Sequence, residues 1–336
     1  MRCIFCLQER PATEEHIFSL AIGGCLTIDR VCVSCNSTLG SRVDVALSDN
    51  FVVRMRRASL GLAGNSGLPP APHELLIGVH QLADHPGRVQ VTFNRATGKL
   101  DLKALHHASD LITPDGTNVR QIIVDAKDIG QLGKIIQRER KRYSLPPLSD
   151  EQLAAKVRDA AESVTTITNP RVHVAKSVSF AYLRHAMIKI AYELAFLWLG
   201  ESYLEDPSAA KLRAAICTAD PASTDQYPAW VGDAEDCGAF EFWSADRRQH
   251  LAYAFADRNL GIAISVRVFD IHAAIVWVTK NANIYLGGPA ANAKLRFLAI
   301  DPESRSLRNV PFMEEMGRIA VEKVANRSQT APISRA

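Results

Sequence analysis

Leu39, Val43 and Leu47 recur at four-residue intervals and predict the buried face of a helix from about Asn36 to Ser48. Asn36, Gly40 and Asp44 recur at the same interval and give that helix a second, polar face with a gap at Gly40. A helical glycine costs about 1 kcal/mol relative to alanine, but it lets a phosphate backbone approach closely. Upstream, Ile17, Leu20 and Ile22 form or flank a strand, and Gly23-Gly24 supplies a turn. A Gly/Pro-rich stretch from Leu60 to Pro72 reads as a linker. Beyond it, residues 75–82, 88–93 and 99–104 have strand patterning, with a turn at Asn94–Gly98. Helices are predicted over 126–142, 150–163 and Ser177–Leu199, the last strongly apolar but interrupted by Arg184, Lys189 and Glu193. Residues 250–256, 260–269 and 273–279 read as a β-meander, followed by strands at 283–287 and 295–300. The pattern predicts an α+β chain: a small module over 1–59, a linker over 60–72, a mixed α/β domain over 73–327 and a flexible tail over 328–336.

With 336 residues, 47% hydrophobic and 22% charged, the chain has room for two or three packed domains. The net charge is only +3, so any polyanionic partner must meet local basic patches. Lys134, Arg138, Arg140, Lys141 and Arg142 form the densest one, a pattern that also suits a solvated helix end. No charge-free apolar run reaches the ~18 residues that a spanning helix needs. Charged and cysteine residues sit where the apolar core of a secretory signal would lie, so a cytoplasmic protein without membrane partners is expected. In that compartment paired cysteines more often hold metal than form disulfides.

Five of the seven cysteines lie in the first 35 residues, and four of these form two C-x-x-C pairs, Cys3/Cys6 and Cys32/Cys35. A lone pair could be a redox motif. Two pairs so close together predict two knuckles around one tetrahedral, all-thiolate zinc ion. Such an ion is structural, because thiolates fill every position. Cys25, Cys217 and Cys237 have no partner motif and are expected to be ordinary core residues.

Between and after the knuckles come Thr13-x-Glu15-His16-Ile17, Gly23-Gly24, Cys35-Asn36 and Leu39-Gly40-x-x-x-Asp44. In this order they resemble the four-cysteine branch of the HNH endonuclease family, over residues 1 to about 57. The resemblance implies a ββα-metal fold and phosphodiester hydrolysis. It places Glu15 and Asn36 where the family's metal ligands lie, and His16 where its general base lies. A neutral imidazole can accept a proton from water at neutral pH. A carboxylate and an amide oxygen suit a hard Mg²⁺ or Mn²⁺ ion. Two departures stand out. Thr27 falls near the position of the family's middle asparagine, and Asn36 stands where many relatives carry histidine. A straight helix would hold Asp44 ~12 Å from Asn36, so Asp44 is read as a helper that orients Arg42 or the histidine loop. Arg54, Arg56 and Arg57 could grip phosphates without sequence preference.

Elsewhere no catalytic constellation emerges. Ala96-Thr-Gly-Lys99 lacks the phosphate-loop pattern. His73, His80, His85, His106, His107, His173, His185, His250 and His272 show no metal or triad spacing. The leading expectation is an endonuclease acting on DNA, with RNA as the open alternative. The larger region would serve as target selector, sensor or oligomeriser, with room for a homo-oligomer or an activating ligand. An HNH module on a large unfamiliar domain suits bacterial defence, by architecture alone. The competing expectation is a zinc-stapled nucleic-acid-binding protein without catalysis.

Overall fold

The computed structural model describes residues 1–330 apart from 66, 95, 176–177, 219, 244–247 and 288–290. At the N-terminus β1 (Ala12–His16) and β2 (Thr27–Cys32) pair antiparallel, and β2 runs directly into α1 (Val33–Leu39). The helix begins three residues earlier than the apolar spacing predicts and changes character midway. A π turn over Gly40–Asp44 separates α1 from α2 (Val45–Ser48). Such a turn takes up an extra residue and re-phases the side chains beyond it. Asn50 then caps α3 (Phe51–Ser59), its side-chain oxygen accepting from the amides of Val52 and Val53. The loop joining β1 to β2 doubles back through a short 3₁₀ turn at Leu20–Ile22. Gly23 lies in the left-handed region at φ 85°, and a Cβ on Gly24 would sit 1.7 Å from the Phe18 carbonyl oxygen. That oxygen is backbone and cannot step aside. We expect Gly24→Ala to destabilise the protein by on the order of 3 kcal/mol, read as a lower urea midpoint; an unchanged midpoint would mean that the loop is not built this way.

The second stretch forms a unit of its own, Ala71–Ser177. After a 3₁₀ turn at Pro72–Leu76 come β3 (Gly78–Leu82), β4 (Arg88–Asn94) and β5 (Lys99–Leu105). A separate hairpin is next, β6 (His107–Ile112) and β7 (Asn118–Ile123), then α4 (Leu132–Arg142) and α5 (Asp150–Glu162). The two-residue β8 (Val172–His173) closes an antiparallel sheet in the order β5-β4-β3-β8. Its core is small: Leu82, Val89 and Val91, with Leu100 and Val172 against them. Ser149 and Gln152 form a reciprocal cap at the start of α5. Lys134, Arg138, Lys141 and Arg142 of α4 are exposed, whereas Arg140 donates to the Pro146 carbonyl at 2.7 Å.

The chain then returns to the first unit, which comprises Met1–Pro70 and Val178–Ala336. It enters on α6 (Phe180–Leu199), continues through α7 (Pro207–Cys217) and β9 (Ala229–Asp233), and reaches the meander β10 (His250–Asp257), β11 (Gly261–Val268) and β12 (His272–Thr279). The segment read as a strand at 283–287 is instead the short helix α8 (Ala282–Leu286). After α9 (Ala291–Lys294), β13 (Arg296–Asp301) and β14 (Ser306–Pro311) complete a six-stranded antiparallel sheet, ordered β14-β13-β10-β11-β12-β9. The last helix, α10 (Phe312–Thr330), carries order past the expected start of the tail; residues 331–336 of that tail lie outside the described residues.

Most of α6 is buried, and that explains the arrangement of the unit. A helix apolar on nearly every side needs partners on nearly every side. One set comes from the sheet, through Ala252, Ala254, Ile264, Val266, Ala274 and Val276. The other comes from the N-terminal segment, where Ile4, Phe5, Ile17, Leu39, Val43 and Leu47 join the same core. The opposite face of the sheet carries a second cluster of Phe240, Trp243, Leu251, Tyr253 and Phe297, with Ile319 of α10. The structure therefore draws the boundaries differently from the sequence expectation. Residues 1–59 share their core with the chain beyond 178, and 71–177 is an insertion between the two parts. Cys217 is exposed where a core residue was expected, while Cys237 is buried as expected and Cys25 is half-buried.

Candidate metal centre and active site

The two C-x-x-C pairs converge. The first sits in a tight turn in which the Leu7 amide donates to the Cys3 carbonyl at 2.9 Å, and Leu7 adopts φ 57°. In the second, Cys32 ends β2 and caps α1, which places Cys35 in the first helical turn. The four sulfurs of Cys3, Cys6, Cys32 and Cys35 all lie within 4.8 Å of one another. Cys6 and Cys32 are 3.8 Å apart, the edge of a tetrahedron whose bonds to a central ion are about 2.3 Å. The Cys32 amide points at the Cys3 sulfur from 3.5 Å, as suits a thiolate. Burial raises the Cys32 thiol, but donors from Cys35 and the neighbouring thiols outweigh it and bring it down to about 7; burial and those same neighbours push Cys35 up. These residues are positioned to bind a metal, and the donor set fits zinc.

Beside the knuckles, the hairpin pairs Glu15 with Ile28 and His16 with Thr27, and its register shifts between Thr13 and Glu15. Asn36, one residue past the last cysteine, braces this irregular point. Its side-chain nitrogen donates to Thr13 Oγ1 at 3.0 Å and to the Glu14 carbonyl at 2.9 Å. The Thr13 hydroxyl in turn donates to the Val31 carbonyl at 3.0 Å. Thr27, the stand-in for the family's middle asparagine, lies opposite His16. His16 itself is half-buried, and among the described residues its side chain makes no hydrogen bond or ion pair.

Strand alternation sends Glu15 the other way, into the core, where only 3% of it is exposed. Its Oε1 accepts from Lys189 Nζ of α6 at 2.5 Å. The same ammonium lies 3.0 Å from Asp44 and 3.4 Å from Glu193. Burial opposes the charge on Lys189, but Asp44, Glu193 and Glu15 together hold its pKa above the ordinary lysine range. Glu193 is fully buried, its carboxyl oxygens make no hydrogen bond among the described residues, and burial pushes its pKa well up against the opposing pull of Lys189. Glu15 and Asp44 therefore meet at one cation, and that cation is a lysine. Expected as a divalent-ion ligand, Glu15 does not fit the part: its carboxylate is enclosed and already neutralised. Asp44, expected to steer Arg42 or the histidine loop, is turned toward Lys189. Sequence reasoning missed Lys189 and Glu193, whose signal is a charged i,i+4 pair inside an otherwise apolar helix.

Three of the four arginines are not free surface groups. Arg56 pairs with Asp270 at 2.6 Å, Arg57 is buried and donates to the Ser48 carbonyl at 3.0 Å, and Arg54 is half-buried. Arg56 and Arg57 thus hold α3 in place. Arg42, on the π turn, is exposed.

His250 secures the loop beyond His16. The Phe269 amide donates to its Nδ1 at 3.2 Å, so Nε2 carries the proton and donates to the Ile22 carbonyl at 2.8 Å. Phe18 stacks on the ring at a 5.3 Å centroid distance. Burial lowers the pKa of this imidazole to about 4. The unfolded chain takes up a proton near pH 6.5 that the folded chain refuses until about pH 4. The stability that His250 contributes is therefore complete above pH 6.5 and is lost as the pH falls toward 4, by about 3 kcal/mol. Burial lowers His185 and His272 in the same sense. We expect the urea midpoint to fall more steeply between pH 7 and 4.5 in wild type than in His250→Gln; parallel profiles would contradict this.

Residues 3–52 match the family model for HNH endonuclease. No curated protein and no solved structure matches the chain. The match and the cysteine cluster together define an N-terminal module similar to the HNH endonucleases, with four cysteines positioned to bind a metal. Among the described residues, no helix is long and apolar enough to cross a membrane.

Proposed function

We propose that the chain is an endonuclease that hydrolyses phosphodiester bonds in DNA, with His16 as the general base. The observation that carries this reading is His16 itself. It stands at the end of β1 inside the segment that matches the family, half-exposed and with no side-chain partner among the described residues. A neutral imidazole there can take a proton from water as the water oxygen attacks phosphorus, the P–O3′ bond breaks and the departing O3′ takes a proton from solvent. Asn36 acts as the brace that fixes the strand bearing His16, through Thr13 and the Glu14 carbonyl. Arg42 is the exposed cation of the module best placed to meet a phosphate. The resemblance also implies Mg²⁺ or Mn²⁺, which would neutralise charge on the phosphate; Glu15 does not fit as its ligand.

One observation favours the second reading, a zinc-stapled protein that binds nucleic acid without cutting it. The expected metal-binding carboxylate is committed to Lys189. Closed circular plasmid separates the two readings, because only an endonuclease can open a molecule without ends. Incubation with the zinc-loaded protein and Mg²⁺ or Mn²⁺ is expected to yield nicked or linear product. Retention of intact plasmid on a filter, with no nicking in either ion, would support the binding module instead.

A further inference from the structure

Lys189 is fully buried in an apolar helix, and it is joined by three carboxylates from three separate parts of the unit: Glu15 of β1, Asp44 of the π turn and Glu193 of α6. Burying an ammonium is unfavourable unless close anions replace its water. Each contact here is therefore part of how the fold tolerates the charge. The position matters as much as the pairing. A hard divalent ion keeps several waters and needs an accessible carboxylate. Glu15 has no such access, and its Oε1 already faces a cation at 2.5 Å. A divalent ion on that oxygen would sit a few ångströms from the ammonium in a poorly screened interior, where like charges repel strongly.

We infer that Lys189 is the resident cation of this hairpin, a positioning residue whose ammonium takes the place of a divalent ion at Glu15 and makes that carboxylate an anchor for β1. The residue next to the proposed base is then fixed by a helix that joins the chain 174 positions later, which ties the geometry of the module to residues beyond 178. The inference rests on the HNH reading only in naming the ion that is displaced.

The test reads ion binding, not cleavage, so a chain that fails to cut DNA leaves its result intact. Mn²⁺ is titrated into the zinc-loaded full chain, and the free ion is counted by electron paramagnetic resonance. Glu15→Gln is expected to bind Mn²⁺ within fivefold of wild type, including the case in which neither binds. A weakening beyond fivefold overturns the inference, because it makes Glu15 a ligand. A second arm compares thermal midpoints of Lys189→Met and Lys189→Met/Glu15→Gln. The single change leaves three carboxylates without a cation, so the double variant is expected to melt higher than the single one. Strictly additive effects overturn the pairing. Should Glu15→Gln lose its zinc, the double variant replaces it in the Mn²⁺ titration under the same fivefold criterion.

Discussion

Stripping the zinc, or replacing Cys35 with serine, is expected to unfold the whole first unit and not merely its N-terminal turn. The sulfurs converge within 4.8 Å, so without an ion four thiol groups crowd a space that suits thiolates around a cation. Structural zinc contributes on the order of 10–16 kcal/mol of apparent binding energy in small peptides, whereas whole domains are stable by about 5–15 kcal/mol. The knuckles are also not peripheral. Cys3 and Cys32 belong to the core that contains α6 and the inner face of the sheet, and the Tyr192 hydroxyl of α6 donates to the Ile4 carbonyl at 2.6 Å. Loss of even ~5 kcal/mol would lower the melting midpoint by roughly 10–20 °C in a domain of this size. Calorimetry of metal-free and zinc-loaded protein checks this. A zinc-free chain that melts within a few degrees of the loaded one would show that the ion is dispensable.

The features readable from the sequence were those that local spacing determines. The knuckles are legible because C-x-x-C fixes two sulfurs in one turn. The three strands of the meander are legible because apolar runs alternate with Gly and Asn turns. Asp44 was misplaced because an uninterrupted helix was assumed, and the π turn at Gly40–Asp44 rotates the later side chains about the helix axis. Glu15 looked like an ion ligand because its partner lies on a distant helix. The arginines after the module read as a phosphate grip because nothing nearby reveals Asp270 or the Ser48 carbonyl. The insertion at 71–177 was hidden for a similar reason. The Gly/Pro stretch marks where the chain leaves the first unit, but no such stretch marks its return. The signal that did exist was α6 itself, too apolar all round to be covered by one domain surface.

His16→Ala is expected to slow cleavage at least ~100-fold while leaving the fold untouched. A positioned general base contributes typically 10²–10⁴-fold to a hydrolysis. The imidazole is half-buried and makes no hydrogen bond or ion pair among the described residues, so its removal should alter stability by less than about 0.5 kcal/mol. This separation of effects distinguishes His16 from Glu15, Asn36 and His250, each of which holds part of the hairpin or its loop in place.

The most direct measurement sets wild type beside His16→Ala on supercoiled plasmid, both with one zinc per chain and equal melting midpoints. The account predicts nicking by wild type that falls at least ~100-fold in the variant. Equal cleavage by the two proteins would contradict it.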